Sequence, residues 1–265
     1  MTKMAAEDIV DLRDYPIADD DDDDAARRLV AEACGQFDDT GFCVLPGFIR
    51  PDALADMVVE ANDLAPLTYY CRQSHDVYLG TGEHGPLEET FVGSVAYDLL
   101  PDTALLRTLY DWDPLKDFIA AVLRKPVLHR LADPLGACTI NVFCRDGRHG
   151  WHFDEAEFTV TLMLQAPARG GVFEYVPNIR GRRDEAAVVG RILDGDRGGV
   201  VELPFTPGAL LIFGGRRTLH RVTTVGGDRL RLVPVLCYGT RPDQRNSDDV
   251  RRLFWGRTTA MAATA

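Results

Sequence analysis

A histidine and an aspartate stand two positions apart in the stretch RHGWHFDEAEFTVTLMLQAP, residues 148–167. Side chains at positions i and i+2 of a β-strand point to the same face, so His152 and Asp154 are predicted to project together. A third ligand is needed from a facing strand, and His220 in GGRRTLHRVTTV can supply it. Two histidines and one carboxylate form the facial triad that holds non-heme Fe(II) and leaves coordination positions open. A structural zinc site would more often use cysteines, and no cysteine is suitably paired here.

Two arginines follow His220 on the next predicted strand, Arg229 and Arg231 in GGDRLRLVPVLCYG. The usual partner of such an iron is 2-oxoglutarate, whose distal carboxylate needs a fixed cation, and the planar guanidinium of arginine grips a carboxylate with two hydrogen bonds. A pair of arginines on an exposed strand is the alternative. However, the flanking residues are apolar enough that an inward arginine would require an anionic partner. Asn141, in CTINVF, either hydrogen-bonds 2-oxoglutarate or satisfies buried backbone groups.

Composition limits the class of protein. The formal net charge of −12 argues against a nucleic-acid partner, because phosphate binding needs a basic surface. No apolar run is long enough to span a membrane, and the N-terminal stretch MTKMAAEDIVDLRDYP lacks the apolar segment of a secretory signal. The six scattered cysteines contain no CxxC pair, which favours reduced thiols in a cytoplasmic protein. The Asp19–Asp24 run is predicted to be solvated and to favour the N-terminus of the helix that follows it.

The N-terminal part of the chain, residues 1–125, is predicted to be mainly helical and to include a lid. Amphipathic segments and helix-start signals predict helices over residues 25–41, 50–66 and 113–125, with the short buried strand FCVLPGF between the first two. Residues 69–97 contain Gly, Pro and two histidines, and we predict a long loop or lid there.

From about residue 127 the sequence predicts a series of short β-strands. Their breaks at Gly and Pro predict a sandwich or jelly roll, flanked by the N-terminal helices. We expect one domain over residues 1–265, with its β core at residues 126–257.

Several ordered blocks carry a family resemblance between residues 95 and 257. The blocks DPLGACTINVF, GWHFDEAEFTVTLMLQAPARGGVFEYVP, TPGALLIFGGRRTLHRVTTVGGDRLRLV and FWG resemble the Fe(II)/2-oxoglutarate oxygenases that act on free amino acids, including lysine halogenases and their sister hydroxylases. The resemblance implies an α+β fold with a double-stranded β-helix core. It implies that His152, Asp154 and His220 bind iron and that 2-oxoglutarate forms a salt bridge to Arg231, with Arg229 as the alternative.

The residue at position 154 bears on the reaction that the resemblance implies. In the halogenating relatives a small residue replaces the carboxylate of the HxD motif and leaves a coordination position for chloride. Here Asp154 is present, so the chain resembles the hydroxylase branch, which uses O₂ and releases succinate and CO₂. The alternatives are a non-catalytic sandwich that binds a metal or a small carboxylate, and a halogenase.

The resemblance also suggests residues that contact a small zwitterionic substrate. His149, Glu155 and Trp255 occupy comparable positions near the mouth of the site. For His149 a loop histidine beside a glycine is the competing interpretation, and for Trp255 it is burial against the core.

Polar residues of the predicted lid are further candidates. Arg72, His75 and Tyr78 could clamp a substrate carboxylate, although surface-loop polarity also accounts for them. The apolar Val235 and Cys237 share the predicted cavity side of Arg231, which argues against lysine itself as the substrate.

Overall fold

The computed structural model describes residues 4–18, 24–78 and 85–261 of the chain. Most of the Asp19–Asp24 run therefore lies outside the described residues, and so do residues 79–84 of the predicted lid. The described part contains seven α-helices: α1 (Ala6–Ile9), α2 (Asp24–Thr40), α3 (Pro51–Leu64), α4 (Leu105–Tyr110), α5 (Asp113–Val122), α6 (Glu185–Leu193) and α7 (Asp248–Trp255). Of these, α2, α3 and α5 confirm the three predicted helices.

The strands are short and all their pairings are antiparallel. They are β1 (Phe42–Leu45), β2 (Tyr69–Asp76), β3 (Leu87–Val95), β4 (His129–Arg130), β5 (Cys138–Phe143), β6 (His149–His152), β7 (Thr159–Leu162), β8 (Arg169–Gly170), β9 (Phe173–Val176), β10 (Val201–Leu203), β11 (Leu210–Phe213), β12 (Leu219–Val222), β13 (Val225–Gly226), β14 (Arg231–Leu236) and β15 (Tyr238–Gly239). Seven form a sheet in the order β1-β11-β7-β14-β5-β3-β2, and four form a second sheet in the order β10-β9-β12-β6.

Aromatic side chains join the two sheets. Phe173 of the four-stranded sheet lies edge-on to Phe213 of the seven-stranded sheet, with 5.3 Å between ring centroids, and Phe42 lies 3.9 Å from Tyr175. Buried aromatic rings contribute large apolar areas, so this contact holds the sheets face to face. The predicted double-stranded β-helix fold is confirmed.

The N-terminal helices cover the outer face of the seven-stranded sheet. Their buried residues, such as Met57 of α3 and Ile119 of α5, form one apolar cluster with Val160, Ile212 and Leu232 of that sheet. Because each helix has only one apolar face, this packing removes that face from water and leaves the polar face exposed.

The prediction of a loop or lid at residues 69–97 is wrong for the residues that the structure describes. Strands β2 and β3 pair along the whole of β2, and β3 pairs with β5, so they extend the seven-stranded sheet. Strand β2 could not be recognised from an apolar pattern, because an edge strand can keep polar residues on its exposed side. Only Cys71 and His75 are buried in it. The main sheet thus includes three strands from the part predicted to be mainly helical.

Four helices, α1, α4, α6 and α7, were not predicted from the sequence, although α7 carries clear end signals. Ser247 caps its N-terminus by accepting a hydrogen bond from the amide of Val250, and Gly256 adopts the left-handed conformation (φ 66°) after its last residue. All six cysteines are free thiols. None of the described helices combines the length and the apolar character that crossing a bilayer requires.

Tyr110 links the helical layer to the strands through a buried hydrogen-bond network. Its hydroxyl donates to the carbonyl oxygen of Cys237 (2.7 Å) and accepts from the amide of Leu131 (3.0 Å), and that amide also reaches the Cys237 oxygen (3.1 Å). We expect Tyr110→Phe to lower the free energy of unfolding by about 1–2 kcal/mol, because two buried hydrogen bonds are lost and one remains. Urea unfolding measures the change. Tyr69→Phe at an exposed tyrosine is the control, and equal effects of the two substitutions would contradict the network.

Candidate metal centre

The two histidines of the predicted triad come from neighbouring strands of one sheet. His152 ends β6, His220 lies in β12, and the two residues are direct cross-strand partners. Asp154 lies beyond the end of β6, in the connection to β7. The predictions that His152 and Asp154 share a strand face and that His220 comes from a facing strand are therefore wrong. The three side chains still converge, because the amide of Asp154 donates to the carbonyl oxygen of Gly215 (3.1 Å) in the turn that leads to β12.

The three side chains present a compact set of ligand atoms. One ligand atom from each residue lies within 4.8 Å of the others. Oδ1 of Asp154 lies 3.3 Å from Nε2 of His152 and 3.4 Å from Nε2 of His220. Both histidines are buried. This is the arrangement that one metal ion bound by two nitrogens and one oxygen requires.

Backbone carbonyls orient both imidazoles. Nδ1 of His152 lies 2.8 Å from the carbonyl oxygen of Gly150, and Nδ1 of His220 lies 2.9 Å from that of Thr218. A carbonyl oxygen only accepts hydrogen bonds, so each Nδ1 carries the proton. Each Nε2 is thereby turned toward Asp154, where it can bind a metal ion.

The electrostatics of the cluster call for a cation. Burial, together with the neighbouring His220, lowers the pKa of His152 to about 4, so its ring is neutral near pH 7. Burial by itself would raise the pKa of Asp154, but His220 and His152 hold that pKa well below its usual range. Two ring nitrogens and a carboxylate oxygen thus converge at a largely buried point, an arrangement that a metal ion between them would stabilise. The residues fit Fe(II).

The carboxylate of Asp154 is itself held in place. Oγ1 of Thr159 donates to Oδ2 (2.5 Å), which leaves Oδ1 facing the histidines. Gly215 lies against the same carboxylate, and a Cβ at this position would overlap Oδ2. Neither residue was identified from the sequence, because each acts only through Asp154 and neither is a metal ligand.

A cavity of about 380 Å³ opens from the cluster. Arg231, the first residue of β14, lines it and is 1% exposed, and Nε of its guanidinium has no hydrogen-bond partner. Burial lowers the pKa of Arg231 to about 9. No carboxylate among the described residues forms an ion pair with this guanidinium. A buried cation without a partner requires an anion from outside the chain, so Arg231 fits the distal carboxylate of 2-oxoglutarate.

The other two residues assigned to the cosubstrate lie in different surroundings. Arg229 is exposed, precedes β14 and does not line the cavity, so the structure does not place it on one strand face with Arg231. Asn141 of β5 pairs with Val233 of β14 and lines the cavity. Its side chain forms no hydrogen bond with another described residue, so it is not used to satisfy buried backbone.

Three of the predicted substrate residues line the cavity. The ring of His149 stacks on that of His152 with 3.7 Å between centroids, and its Nε2 is buried without a hydrogen-bond partner. Oε2 of Glu155 accepts from the hydroxyl of Ser247 (3.1 Å). Trp255 is mostly buried, and its Nε1 donates to the hydroxyl of Ser94 (3.1 Å), so it forms part of the wall.

The structure does not bring Arg72, His75 and Tyr78 into the cavity. Arg72 is exposed over the ring of Phe91, and Tyr78 stacks on Phe153. His75 is buried behind His149 and lies edge-on to it, with Nε2 at 2.6 Å from Oγ1 of Thr90. The clamp predicted for these three residues depended on the lid, and β2 and β3 form a sheet edge in its place.

A buried carboxylate fastens the wall opposite the metal ligands. Asp133 is 1% exposed and accepts four hydrogen bonds, from the amides of Leu135 (2.9 Å), Gly136 (3.1 Å) and Asn246 (3.0 Å) and from Nε of Arg251 (3.0 Å). Arg251 belongs to α7, so this carboxylate holds that helix and the loop before it against the cavity. Sequence reasoning missed Asp133, since its partners at 246 and 251 are far away in the chain.

The family model described as halogenase D matches residues 25–252. This chain belongs to the halogenase D family. No curated protein matches it in sequence. The prediction of an oxygenase of the halogenase and hydroxylase kind is confirmed.

Several solved structures, Fe(II)/2-oxoglutarate oxygenases among them, share the fold. The non-heme alpha ketoglutarate dependent epimerase SnoN from nogalamycin biosynthesis has a TM-score of 0.58 at 16% identity, over 80% of this chain and 83% of its own. AviO1 from Streptomyces viridochromogenes Tue57 has a TM-score of 0.58 at 19% identity, over 82% of this chain and 97% of its own. An oxidoreductase of the 2OG-Fe(II) oxygenase family from Burkholderia pseudomallei has a TM-score of 0.54 at 19% identity, over 82% of this chain and 94% of its own. At these identities the likeness concerns the fold.

The metal site predicts the effect of removing either imidazole. His152→Ala or His220→Ala should weaken Fe(II) binding by more than about 100-fold, because losing a ligand costs more than the roughly 10- to 100-fold typical of residues that only orient ligands. Anaerobic calorimetric titration with Fe(II) measures the affinity. His129→Ala, in β4 and outside the cavity, is the control. Unchanged iron affinity in both ligand variants would refute the assignment.

Proposed function

We propose that this chain is an Fe(II)/2-oxoglutarate-dependent dioxygenase that hydroxylates an unactivated C–H bond of a free amino acid or a similar small zwitterionic metabolite. The observation that carries the proposal is the carboxylate of Asp154, which faces the Nε2 atoms of His152 and His220. This carboxylate occupies the position that a halide would need.

Iron would be held by His152, Asp154 and His220, and the distal carboxylate of 2-oxoglutarate by Arg231, with Asn141 as a further polar contact. The SnoN epimerase, which shares the fold, has been solved in complex with Fe3+, alpha ketoglutarate and nogalamycin RO. The partnerless, buried guanidinium of Arg231 supports the same cosubstrate here. When bound, iron and 2-oxoglutarate use O₂ to oxidise a C–H bond, and one oxygen atom goes to the product and the other to succinate as CO₂ leaves.

The chain's own residues set the conditions for this chemistry. Thr159 keeps one oxygen of Asp154 occupied, so the other is presented to the metal. His149 covers the ring of His152, and because burial and His152 hold its pKa well below the usual range, it adds no positive charge beside the metal ligands. Glu155, whose carboxylate forms no ion pair with a described residue, can hold the ammonium group of a zwitterion, and Trp255 closes the wall beside it.

Halogenation is the second candidate, because the matching family model is described as a halogenase. Asp154 disfavours it, since a halide would have to displace a carboxylate that Thr159 holds. A non-catalytic binding protein is the third. It would have no need for open metal positions beside a cavity that also contains an unpaired cation.

Cosubstrate binding tests the role of Arg231. Arg231→Ala should weaken 2-oxoglutarate binding by about 2–4 kcal/mol, because a buried carboxylate would lose its charged partner. Iron affinity should change little. Arg229→Ala is the matched control, since Arg229 is exposed and outside the cavity. The intensity of the visible charge-transfer band of the anaerobic Fe(II) complex, followed against 2-oxoglutarate concentration, measures the affinity. A larger loss in the Arg229 variant would contradict the assignment.

Product analysis tests the reaction. With Fe(II), 2-oxoglutarate, ¹⁸O₂ and excess chloride, a screen of free amino acids should give a product with one ¹⁸O atom, together with succinate. Mass spectrometry distinguishes the outcomes. A chlorinated main product would support the halogenase, and an unlabelled oxygenated product would refute oxygen transfer from O₂. Metal binding without succinate release for any amino acid would support the binding protein.

A further inference from the structure

The mouth of the cavity contains charged side chains that are not assigned to binding the metal or the cosubstrate. In the proposed function, Asp154 and the two histidines bind iron, and Arg231 binds 2-oxoglutarate. Among the described residues lining the cavity, the other charged side chains are one carboxylate and three guanidinium groups: Glu155, Arg216, Arg241 and Arg245. Their sum is two positive charges, in a chain whose formal net charge is −12.

Arg216 is fixed beside Glu155. Its Nε donates to the backbone carbonyl oxygen of Glu155 (3.0 Å), and Nη2 donates to the same oxygen. The guanidinium is exposed and faces the mouth, with Nη1 left for another partner. It is therefore held at the backbone of the residue whose carboxylate is proposed to hold the substrate ammonium group.

Arg241 and Arg245 belong to the loop between β15 and α7, and hydrogen bonds hold this loop in place. The side chain of Gln244 accepts from the amide of Thr240 (3.1 Å), and its backbone oxygen accepts from the amide of Ala132 (2.9 Å). The amide of Asn246 is held by the buried Asp133. The loop is thus anchored on both sides of each arginine, which keeps the two cations at the edge of the cavity.

Neither Arg241 nor Arg245 forms an ion pair or a side-chain hydrogen bond with a described residue. Exposed arginines elsewhere in the chain commonly do: Arg252, on the far side of α7, lies within 4.0 Å of both Asp248 and Asp249. Guanidinium groups bind carboxylates and phosphates in planar, two-pronged geometry. A cavity mouth with one carboxylate and three guanidinium groups is complementary to a ligand that carries one ammonium group and more than one anionic group.

On this basis we propose that the substrate is an amino acid whose side chain ends in an anionic group, a carboxylate or a phosphate. The inference rests on the proposed function. Glu155 binds the α-ammonium group, Arg216 beside it binds the α-carboxylate, and Arg241 and Arg245 bind the second anionic group. Neutral or cationic amino acids of the same length lack the second anion, and a lysine side chain would be repelled by the loop.

Binding to protein loaded with Ni(II) and 2-oxoglutarate tests the substrate class without turnover. The probes are L-glutamate, L-aspartate and O-phospho-L-serine, compared with L-glutamine, L-asparagine and L-lysine in calorimetric titrations. We expect an anionic probe to bind about tenfold tighter than its neutral counterpart, as a few solvent-exposed ion pairs allow. Comparison of the carboxylate and phosphate probes identifies the anionic group.

Two variants show whether the arginines are responsible. Arg241→Gln with Arg245→Gln should weaken binding of the anionic probe by roughly tenfold and leave binding of its neutral counterpart unchanged. Arg252→Gln, which removes an exposed charge outside the cavity, should change neither. A loss of equal size for anionic and neutral probes would show that the loop acts only structurally and would overturn the proposal.

The outcomes separate this inference from the proposed function. Tighter binding of a neutral or cationic amino acid, with succinate release from the Fe(II) protein, would overturn the anionic class and leave the hydroxylase in place. No binding and no succinate release with any amino acid would overturn both. Preferred binding of an anionic probe, with succinate release that it stimulates, would support both.

Discussion

The carboxylate of Asp154 and the two imidazoles of His152 and His220 meet at a largely buried point on the wall of the cavity. The Nε2 of each ring faces the same carboxylate oxygen, because the opposite nitrogen of each ring is held by a backbone carbonyl. Burial keeps His152 neutral near pH 7, so its Nε2 is available to a metal ion. A cation between these three groups would balance the largely buried carboxylate. The pairing of β6 with β12 and the room left by Gly215 serve this one requirement.

The cavity has a buried positive charge and several exposed ones. Arg231 lies at the inner end without a partner from the chain, and it is the reason why an anion must enter there. The arginines at the mouth are exposed, so each contributes less to affinity than Arg231 and more to the choice and the approach of a ligand. Burial, more than charge itself, therefore separates the group proposed to hold the cosubstrate from the groups proposed to select the substrate.

Rigid elements surround the site on both sides. Behind the metal ligands, His75 is fixed by Thr90 of β3 and lies against His149, which stacks on His152. On the opposite side, the buried carboxylate of Asp133 holds α7 and the loop before it through Asn246 and Arg251. The ligands and the cavity wall are thus positioned by hydrogen bonds to strands and a helix, the kind of support that keeps a site within a narrow range of geometry.

The sequence alone determined the fold class and the candidate residues of the site. His152, Asp154, His220 and Arg231 could be proposed because metal and anion sites restrict residue types, and such restrictions remain visible in short motifs. Helices α2, α3 and α5 could be predicted from their amphipathic pattern and start signals, since these are local properties of the chain. The short β runs separated by Gly and Pro indicated the jelly roll for the same reason.

Tertiary structure decided what depends on contacts between distant parts of the chain. It placed Asp154 beyond the end of β6, made strands of most of the predicted lid, and buried Arg231 while leaving Arg229 exposed. Arg229 and Arg231 are two positions apart and have similar neighbours in the sequence. Only the position at which β14 begins makes one exposed and the other buried. Thr159, Asp133 and the arginines at the mouth were equally hidden, because a supporting residue is defined by its partners, and those partners are brought to it only by the fold.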